Sequence, residues 1–250
     1  SGKMRKGTVY VKAEPLFTAG ELAQIDEQTA LKRLEKALAY DECKTQRIRR
    51  TEYRHPAIAE GLHRVLYLCP KCGSEFAIKT AGERIFCEKC GNGATLNAFY
   101  DLTAETENSV IPASIGDWYD LQRRHEFLRI WRDPEVKMSG HVVLRQPRFK
   151  REPFSVVGEG IVTLDQNGLL YEGTRDGEEF RLEIPLYLLR ALLYGAECDF
   201  ETYYRGQFYY FEPDYLPECV KWSVFCEQLY AYHILGKRDA DGTVGTARRD

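Results

Sequence analysis

The sequence lacks the long apolar run that a membrane-spanning helix requires. No stretch of its 250 residues comes close to about 18 consecutive apolar side chains. The first six residues, from Ser1 to Lys6, are mostly polar or basic and lack the apolar segment of a secretory signal peptide. We therefore expect a cytoplasmic protein without a transmembrane segment. Peripheral binding to a membrane is compatible with this expectation.

The sequence also lacks a recognisable active site. It has no glycine-rich phosphate-binding loop and no nucleophile elbow, and its histidines form no closely spaced pair. The segment Glu172-Gly-Thr-Arg175 resembles a signature of glycerolipid acyltransferases, in which the arginine binds the phosphate of the acyl acceptor. That family also has a histidine with an aspartate five positions later, and no histidine of this chain has one. We interpret Glu172 and Arg175 as ordinary strand and turn residues and predict no catalytic residue.

Cysteines, in contrast, are present in an informative pattern. Two pairs have the form Cys-x-x-Cys-Gly, namely Cys69 with Cys72 and Cys87 with Cys90. The glycine allows a tight turn that directs two sulfurs to one ion, and two such turns complete a tetrahedron. The 14 residues between the pairs predict one β-hairpin with too few apolar side chains for a core of its own. The pattern therefore predicts a structural zinc ribbon with these four cysteines as ligands.

Other interpretations of the four cysteines stay open at this point. Two disulfides, an iron–sulfur or rubredoxin-like iron centre, or a redox dithiol would use the same side chains. Zinc fits the ribbon spacing, and four thiolates leave no open coordination position, which favours a structural role. The other cysteines show no pairing pattern, and we expect reduced thiols at Cys43, Cys198, Cys219 and Cys226.

Helical patterns dominate the chain before Pro134. A capping sequence, Thr18-Ala-Gly-Glu21, and a stripe of leucines predict helices up to Tyr40. Helical periodicity recurs at 56–67. Residues 103–109 are polar and predict a linker. A further helix is predicted from Gly116 to Asp133, with an apolar side formed by Trp118, Leu121, Phe127, Leu128 and Trp131.

Beyond Pro134 the periodicity becomes that of β strands. Tight-turn sequences separate short strands that are predicted at 141–145, 156–164, 169–173, 180–184, 200–204 and 207–211. A short helical insertion is predicted at 186–194, and an amphipathic helix begins at Pro217. The predicted fold class is α+β with several domains, in which an antiparallel β sandwich or barrel ends in a C-terminal helix. This order of elements resembles a pleckstrin-homology or GRAM-like domain.

The resemblance implies a site for anionic head groups. In pleckstrin-homology-like domains the loop between the first two strands binds such groups, and here it contains Arg145, Arg148, Lys150 and Arg151. Residues 121–151 hold nine Lys/Arg and three Asp/Glu, whereas residues 152–218 hold four and 14. Four clustered basic residues would attract an anionic membrane surface. Alternatively, they neutralise the acidic segment of the same chain.

A second resemblance rests on Arg5-Lys-Gly-Thr-Val-Tyr-Val11, on Leu34 to Glu42 and on Leu66-Tyr-Leu-Cys-Pro-Lys-Cys72. These segments are similar to the end of a bacterial 1-acylglycerol-3-phosphate acyltransferase-like domain and the extension that follows it. The resemblance implies that the chain is part of an enzyme that esterifies a lysolipid. The β-like run at 8–11 would then be the last strand of a domain not included here; alternatively, it pairs within this chain. No catalytic residue carries over, because no position matches the family's histidine and aspartate.

The predicted organisation has five parts. They are a strand with helices at 1–65, the zinc ribbon at 66–100, a linker and helix at 101–135, the pleckstrin-homology-like domain at 136–235 and a disordered tail at 236–250. The predicted function is a non-catalytic accessory region that docks an acyltransferase of phospholipid biosynthesis on a membrane or a partner protein. One alternative is a nucleic-acid-binding ribbon, which the pI of about 6.0 disfavours. Another is a protein-interaction scaffold that uses Tyr203-Tyr204 and Tyr209-Tyr210.

Overall fold

The computed structural model describes residues 11–147 and 154–236. The chain forms two compact units that divide between Ile48 and Arg49. Apart from Val11, the predicted strand at 8–11 lies outside the described residues, as does nearly all of the tail predicted at 236–250. The five-part division therefore stays a prediction.

The first unit contains short helices that form through local capping. They are α1 (Ala19–Leu22), α2 (Glu27–Leu38) and α3 (Glu42–Arg49), of which the last residue already belongs to the second unit. The Glu21 amide donates to the Thr18 side chain, and the Thr18 amide donates to the Glu21 carboxylate at 2.8 Å, so the predicted capping box is confirmed. Asp26 caps α2 by accepting the Thr29 amide at 2.8 Å. None of the residues in these helices is buried, so capping contributes more to them than a core does.

The second unit begins with a four-stranded antiparallel sheet. Its strands, in spatial and chain order, are β1 (Ile78–Ala81), β2 (Arg84–Cys87), β3 (Gly93–Leu96) and β4 (Leu102–Ala104). The hairpin predicted between the two cysteine pairs is confirmed by the β1–β2 pairing. The linker predicted at 103–109 is wrong at its start, because Thr103 pairs with Thr95 of β3 and so extends the sheet.

The helix predicted at 56–67 is wrong. This segment forms turns and a single 3-10 helix, Leu62–Arg64. The Ala59 amide donates to the carbonyl of Gly82 in the β1–β2 turn at 3.0 Å, and Gly61 has a φ of +94° that a right-handed helix excludes. A tertiary hydrogen bond to the ribbon therefore replaces the helical one.

A seven-stranded antiparallel sheet forms the rest of the unit. Its strands are β5 (Met138–Gln146), β6 (Ser155–Asp165), β7 (Gly168–Arg175), β8 (Glu178–Pro185), β9 (Leu193–Gly195), β10 (Asp199–Tyr204) and β11 (Gln207–Pro213). Their spatial order is β8-β7-β6-β5-β11-β10-β9. All six strands predicted in this region are confirmed. The helical insertion predicted at 186–194 is wrong, because a 3-10 helix at Leu186–Leu188 leads into β9, which pairs with β10.

Two long helices accompany the sheets: α4 (Ile115–Arg132) and α5 (Cys219–His233). Trp222 of α5 stacks on Phe200 of β10 with ring centroids 4.7 Å apart, so α5 covers the inner face of the larger sheet. The predicted apolar side of α4 is only partly right. Trp131 is 44% exposed, whereas Gln122 and Glu126 are fully buried. The described residues thus form an α+β fold with two antiparallel sheets and a C-terminal helix.

Candidate metal centre

The two cysteine pairs form knuckles with the same backbone geometry. The Gly73 amide donates to the Cys69 carbonyl at 3.0 Å, and the Gly91 amide donates to the Cys87 carbonyl at 2.9 Å. Both glycines have a φ of +69°, a left-handed conformation that a side chain would disfavour. This need explains the Cys-x-x-Cys-Gly pattern in the sequence.

The knuckles bring four sulfur atoms together. The Sγ atoms of Cys69 and Cys90 lie 3.7 Å apart, those of Cys72 and Cys87 lie 3.8 Å apart, and all four lie within 4.8 Å of one another. Sulfurs at about 2.3 Å from a tetrahedral zinc ion are about 3.8 Å apart. A disulfide needs about 2.05 Å, and all four cysteines are free thiols. The donor set therefore fits a tetrahedral metal ion and does not fit two disulfides.

The electrostatic environment differs between the sulfurs. Hydrogen bonding with the side chain and the backbone of Ser74 lowers the pKa of the exposed Cys72 thiol to about 6. Burial raises the pKa of the Cys69 thiol to about 12, although backbone amides of Cys72 and Lys71 point at this sulfur and oppose the shift. Amides directed at sulfur stabilise thiolates, which are the form that binds a metal. Metal binding at this cluster would release protons.

The first knuckle is attached to α4 through the residue that precedes it. The Leu68 carbonyl accepts from the indole of Trp118 at 2.8 Å, and the Leu68 amide donates to the side chain of Gln122 at 3.2 Å. The amide group of Gln122 also donates to the Val65 carbonyl at 3.0 Å. Both backbone groups of Leu68 are thus used by one helix, which fixes the position of the knuckle relative to α4.

A buried charge network attaches the same knuckle to α5. Glu126 of α4 is fully buried; it accepts from Tyr67 at 3.2 Å and from Arg129 at 2.8 Å. Lys221 of α5 lies 3.8 Å from Glu126 and donates to Glu75 at 2.6 Å. Glu75 pairs with Leu68 across the base of the knuckle. The network therefore joins the ribbon, α4 and α5 around one ammonium group.

Three members of this region could in principle form a second cation site. Glu75, His125 and Glu126 have possible ligand atoms within 4.8 Å of one another. The ammonium of Lys221 already contacts both carboxylates, and a metal cation beside it would be repelled. We interpret the cluster as an ion-pair network.

Aromatic packing completes the junction. Phe76 has a φ of +57°, which is unfavourable for a residue with a bulky side chain. Its ring stacks on Tyr67 at 5.5 Å and meets the ring of Tyr215 edge-on at 5.4 Å. The strained backbone therefore places an aromatic side chain between the ribbon and the segment that leads into α5.

The predicted head-group residues are only partly described. Arg145 lies on β5, where its guanidinium donates to Glu212 of β11 at 2.6 Å. This ion pair neutralises part of its charge. Arg148, Lys150 and Arg151 lie outside the described residues.

The acyltransferase-like signature lies on β7 and its turn. Glu172 forms an ion pair with Arg181 of β8 at 3.0 Å, and the guanidinium of Arg175 lies 3.8 Å from the centre of the Phe180 ring. Both contacts belong to a β-hairpin, in agreement with their interpretation as strand and turn residues.

The sequence reasoning missed the polar residues of the junction, Gln122, Glu126 and Lys221. A signal for two of them was present. Trp118, Gln122, Glu126 and Ile130 recur every four residues, so they share one helix face, and all four are buried. A polar pair in phase with a tryptophan and an isoleucine indicates a buried hydrogen-bonding role.

Comparisons with known proteins do not identify this chain. No protein-family model, no curated protein and no solved structure matches it. None of the helices within residues 11–147 and 154–236 combines the length and the hydropathy that a membrane span needs.

Proposed function

We propose that this chain is a non-catalytic docking module, in which a structural zinc ribbon is joined rigidly to a pleckstrin-homology-like domain that binds an anionic membrane surface. The observation that carries the proposal is the attachment of the first cysteine knuckle to both α4 and α5. A metal in this position would stabilise the junction between the two sheets, which is an architectural task.

The donor set supports zinc in a structural role. Four thiolates satisfy the tetrahedral coordination that zinc prefers and leave no position for a substrate. The ion would be held by Cys69, Cys72, Cys87 and Cys90. It would cross-link the two knuckles.

Strand order supports the pleckstrin-homology-like interpretation. Two consecutive sets of hairpin-linked strands, β5 to β8 and β9 to β11, meet where β5 pairs with β11. The helix that follows the last strand packs on the inner face of the sheet. A curved sheet closed by a C-terminal helix is the arrangement expected of such a domain.

The association with a phospholipid-biosynthesis acyltransferase rests on the sequence resemblance of the first 90 or so residues. A lysolipid acyltransferase works where its substrate lies, at the membrane surface. A module that holds the enzyme there would raise the local concentration of substrate without taking part in the reaction.

The metal assignment is tested by elemental analysis of purified protein. We expect about one equivalent of zinc per chain, because the four thiolates form one tetrahedral site. Replacing a buried ligand, Cys87→Ser, should abolish stoichiometric metal, whereas Cys198→Ser, outside the cluster, should leave it unchanged. Stoichiometric iron, or no metal at all, would contradict the zinc assignment.

The membrane proposal is tested by co-sedimentation of the full chain with phosphatidylcholine vesicles that contain phosphatidylglycerol. Each basic residue near such a surface contributes about 1 kcal/mol. The triple change Arg148→Ala, Lys150→Ala and Arg151→Ala should therefore weaken binding strongly at low salt. Arg145→Ala should have a smaller effect, because Glu212 already neutralises this side chain.

A matched control removes three exposed basic residues elsewhere, Lys36, Arg132 and Arg190. It changes the net charge equally and should leave vesicle binding nearly intact. The membrane proposal fails if the wild-type chain does not bind these vesicles. Equal losses in the two triple variants would also contradict it, since they would indicate a general charge effect.

A further inference from the structure

Exposed aromatic side chains form a continuous surface at one end of the larger sheet. Tyr203 is 60% exposed, and Phe154 and Phe208 are each 44% exposed. Phe154 stacks on Tyr210 at 4.0 Å, Tyr210 lies 6.1 Å from Phe208, and Phe208 lies 4.8 Å from Tyr203. We name these four residues the aromatic ledge.

The ledge crosses neighbouring strands on the outer face of the sheet. Tyr203 of β10 and Phe208 of β11 are direct cross-strand partners, and Tyr210 pairs with Arg145 of β5. The inner-face neighbour Phe211 is fully buried. On the outer face, the rings of two phenylalanines stay in contact with water, which is unfavourable for apolar surface. Such a cluster indicates an interaction surface.

The ledge lies at the same end of the sheet as the last residue of β5. The side chain of Gln146, at the end of β5, donates to the Phe208 carbonyl at 3.0 Å. The turn between β7 and β8 lies there too, because the Asp176 amide donates to the Val157 carbonyl at 2.6 Å. The turns that connect β7 to β8 and β10 to β11 therefore lie, with the end of β5, at the same end of the sheet as the ledge.

An arginine without a carboxylate partner among the described residues lies at each of these two turns. Arg175 lies over the ring of Phe180 at 3.8 Å, and Arg205 lies over the ring of Tyr204 at 5.1 Å. Among the described residues, no carboxylate lies within ion-pair distance of either guanidinium, whereas Arg181 on β8 contacts Glu172. Arginines stacked on rings and left without a counter-ion can still bind phosphate.

We infer that the aromatic ledge enters the interfacial layer of an anionic bilayer while Arg175 and Arg205 contact lipid phosphates. Aromatic side chains favour the membrane–water interface, and cations at the same end of the sheet complement anionic head groups. The inference rests on the membrane docking proposed above and assigns it a specific surface.

The ledge is tested with the double change Tyr203→Ser and Phe208→Ser in the full chain, using the same phosphatidylglycerol-containing vesicles. Both side chains point away from the core, so folding should be retained, which circular dichroism checks. Losing two partly buried aromatic contacts should weaken vesicle binding roughly tenfold.

The control double change is Tyr187→Ser and Leu188→Ser. These residues are 62% and 51% exposed, and they lie at the opposite end of the sheet, where the Leu186 amide donates to Asn167 at 3.0 Å. The control removes comparable exposed apolar surface and should leave vesicle binding unchanged. An equal loss in the control would overturn the inference.

The arginines are tested by Arg175→Gln and Arg205→Gln. Each should lower the affinity at low salt about fivefold, which corresponds to about 1 kcal/mol per basic residue. The effect should diminish as salt is raised, because exposed charges are screened. If neither variant changes the affinity for vesicles, the inferred contact between these arginines and lipid phosphates is wrong.

Insertion is measured directly with Phe208→Trp and vesicles made from brominated lipids. The introduced indole should be quenched by bromine in the acyl chains, which a purely electrostatic contact would not produce. Absence of quenching in a variant that binds the vesicles overturns the inference, and a protein partner then becomes the better explanation of the ledge.

Failure of the inference and failure of the proposed function are distinguishable. If the chain binds vesicles through Arg148, Lys150 and Arg151 but is unaffected by changes in the ledge, membrane docking stands and the inference falls. If the wild-type chain does not bind vesicles, both are overturned.

Discussion

Lys221 has an unusual position for a lysine. Its side chain is only 11% exposed, and its ammonium lies between Glu75 of the ribbon and the fully buried Glu126 of α4. A buried carboxylate is tolerated when cations and hydrogen-bond donors surround it. Lys221 therefore both compensates Glu126 and joins α5 to the ribbon.

We expect Lys221→Met to lower the free energy of unfolding by about 2 kcal/mol, because it removes a charged hydrogen bond and leaves carboxylates under-compensated. The control is Arg123→Met, which breaks the ion pair between Arg123 and Glu227 across the same two helices. That pair is partly exposed, so its loss should cost at most about 1 kcal/mol. Urea unfolding at neutral pH measures both, and equal effects would contradict the assigned role.

At the residue scale, the sequence predicted the cysteine cluster but not the residues that support it. The proximity of Cys69, Cys72, Cys87 and Cys90 was predictable because metal coordination would impose both the residue type and the local spacing. Lys221 was not, because its partner Glu75 lies 146 residues earlier in the chain. Such a pairing depends on tertiary contacts that no local pattern contains.

Among the elements, the pairing of β6 with β7 depends on glycines where the two strands approach most closely. A Cβ atom added at Gly158 would overlap the Thr174 carbonyl, and one added at Gly173 would overlap the Glu159 carbonyl. The two strands approach each other more closely than side chains permit. These glycines therefore permit the close approach of β6 and β7 near the β7–β8 turn.

Gly158→Ala should lower the free energy of unfolding by about 2 kcal/mol or more, because the added methyl group has to displace backbone. Gly140→Ala on β5 is the matched control. Its Cβ would lie 3.6 Å from the Trp222 ring, an ordinary contact, so a change of less than about 1 kcal/mol is expected. Thermal unfolding compares the two variants. Similar melting temperatures would contradict the close approach of the β6 and β7 backbones at Gly158.

Local signals predicted the elements well where turns were encoded by adjacent residues. Asn167-Gly168 and Asp176-Gly177 separate β6, β7 and β8 as expected. The helix predicted at 186–194 failed for a physical reason. Leu186, Leu189 and Leu192 recur every three residues, yet Leu186 enters the core from a 3-10 helix and the other two from the irregular segment that follows it. The spacing of apolar residues alone does not distinguish a regular helix from an irregular segment whose leucines enter the core.

At the scale of the whole molecule, α4 links two cores. Trp118, near its start, belongs to the ribbon core, while Phe127 and Ile130 belong to the core of the larger sheet. The α+β class, the two antiparallel sheets and the cysteine cluster were predictable from periodicity and motif. The placement of the ribbon on α4 and α5 was not, because it depends on buried polar contacts between distant segments.

The separation of Glu75 and Lys221 along the chain has a consequence for biosynthesis. Ribosomes deliver the cysteine knuckles first, so a metal ion could be captured while α5 is still inside the exit tunnel. Until α5 emerges, the carboxylate of Glu126 lacks the ammonium group of Lys221. A nascent chain would accordingly complete the cysteine cluster first and form the rigid junction only after α5 has left the tunnel.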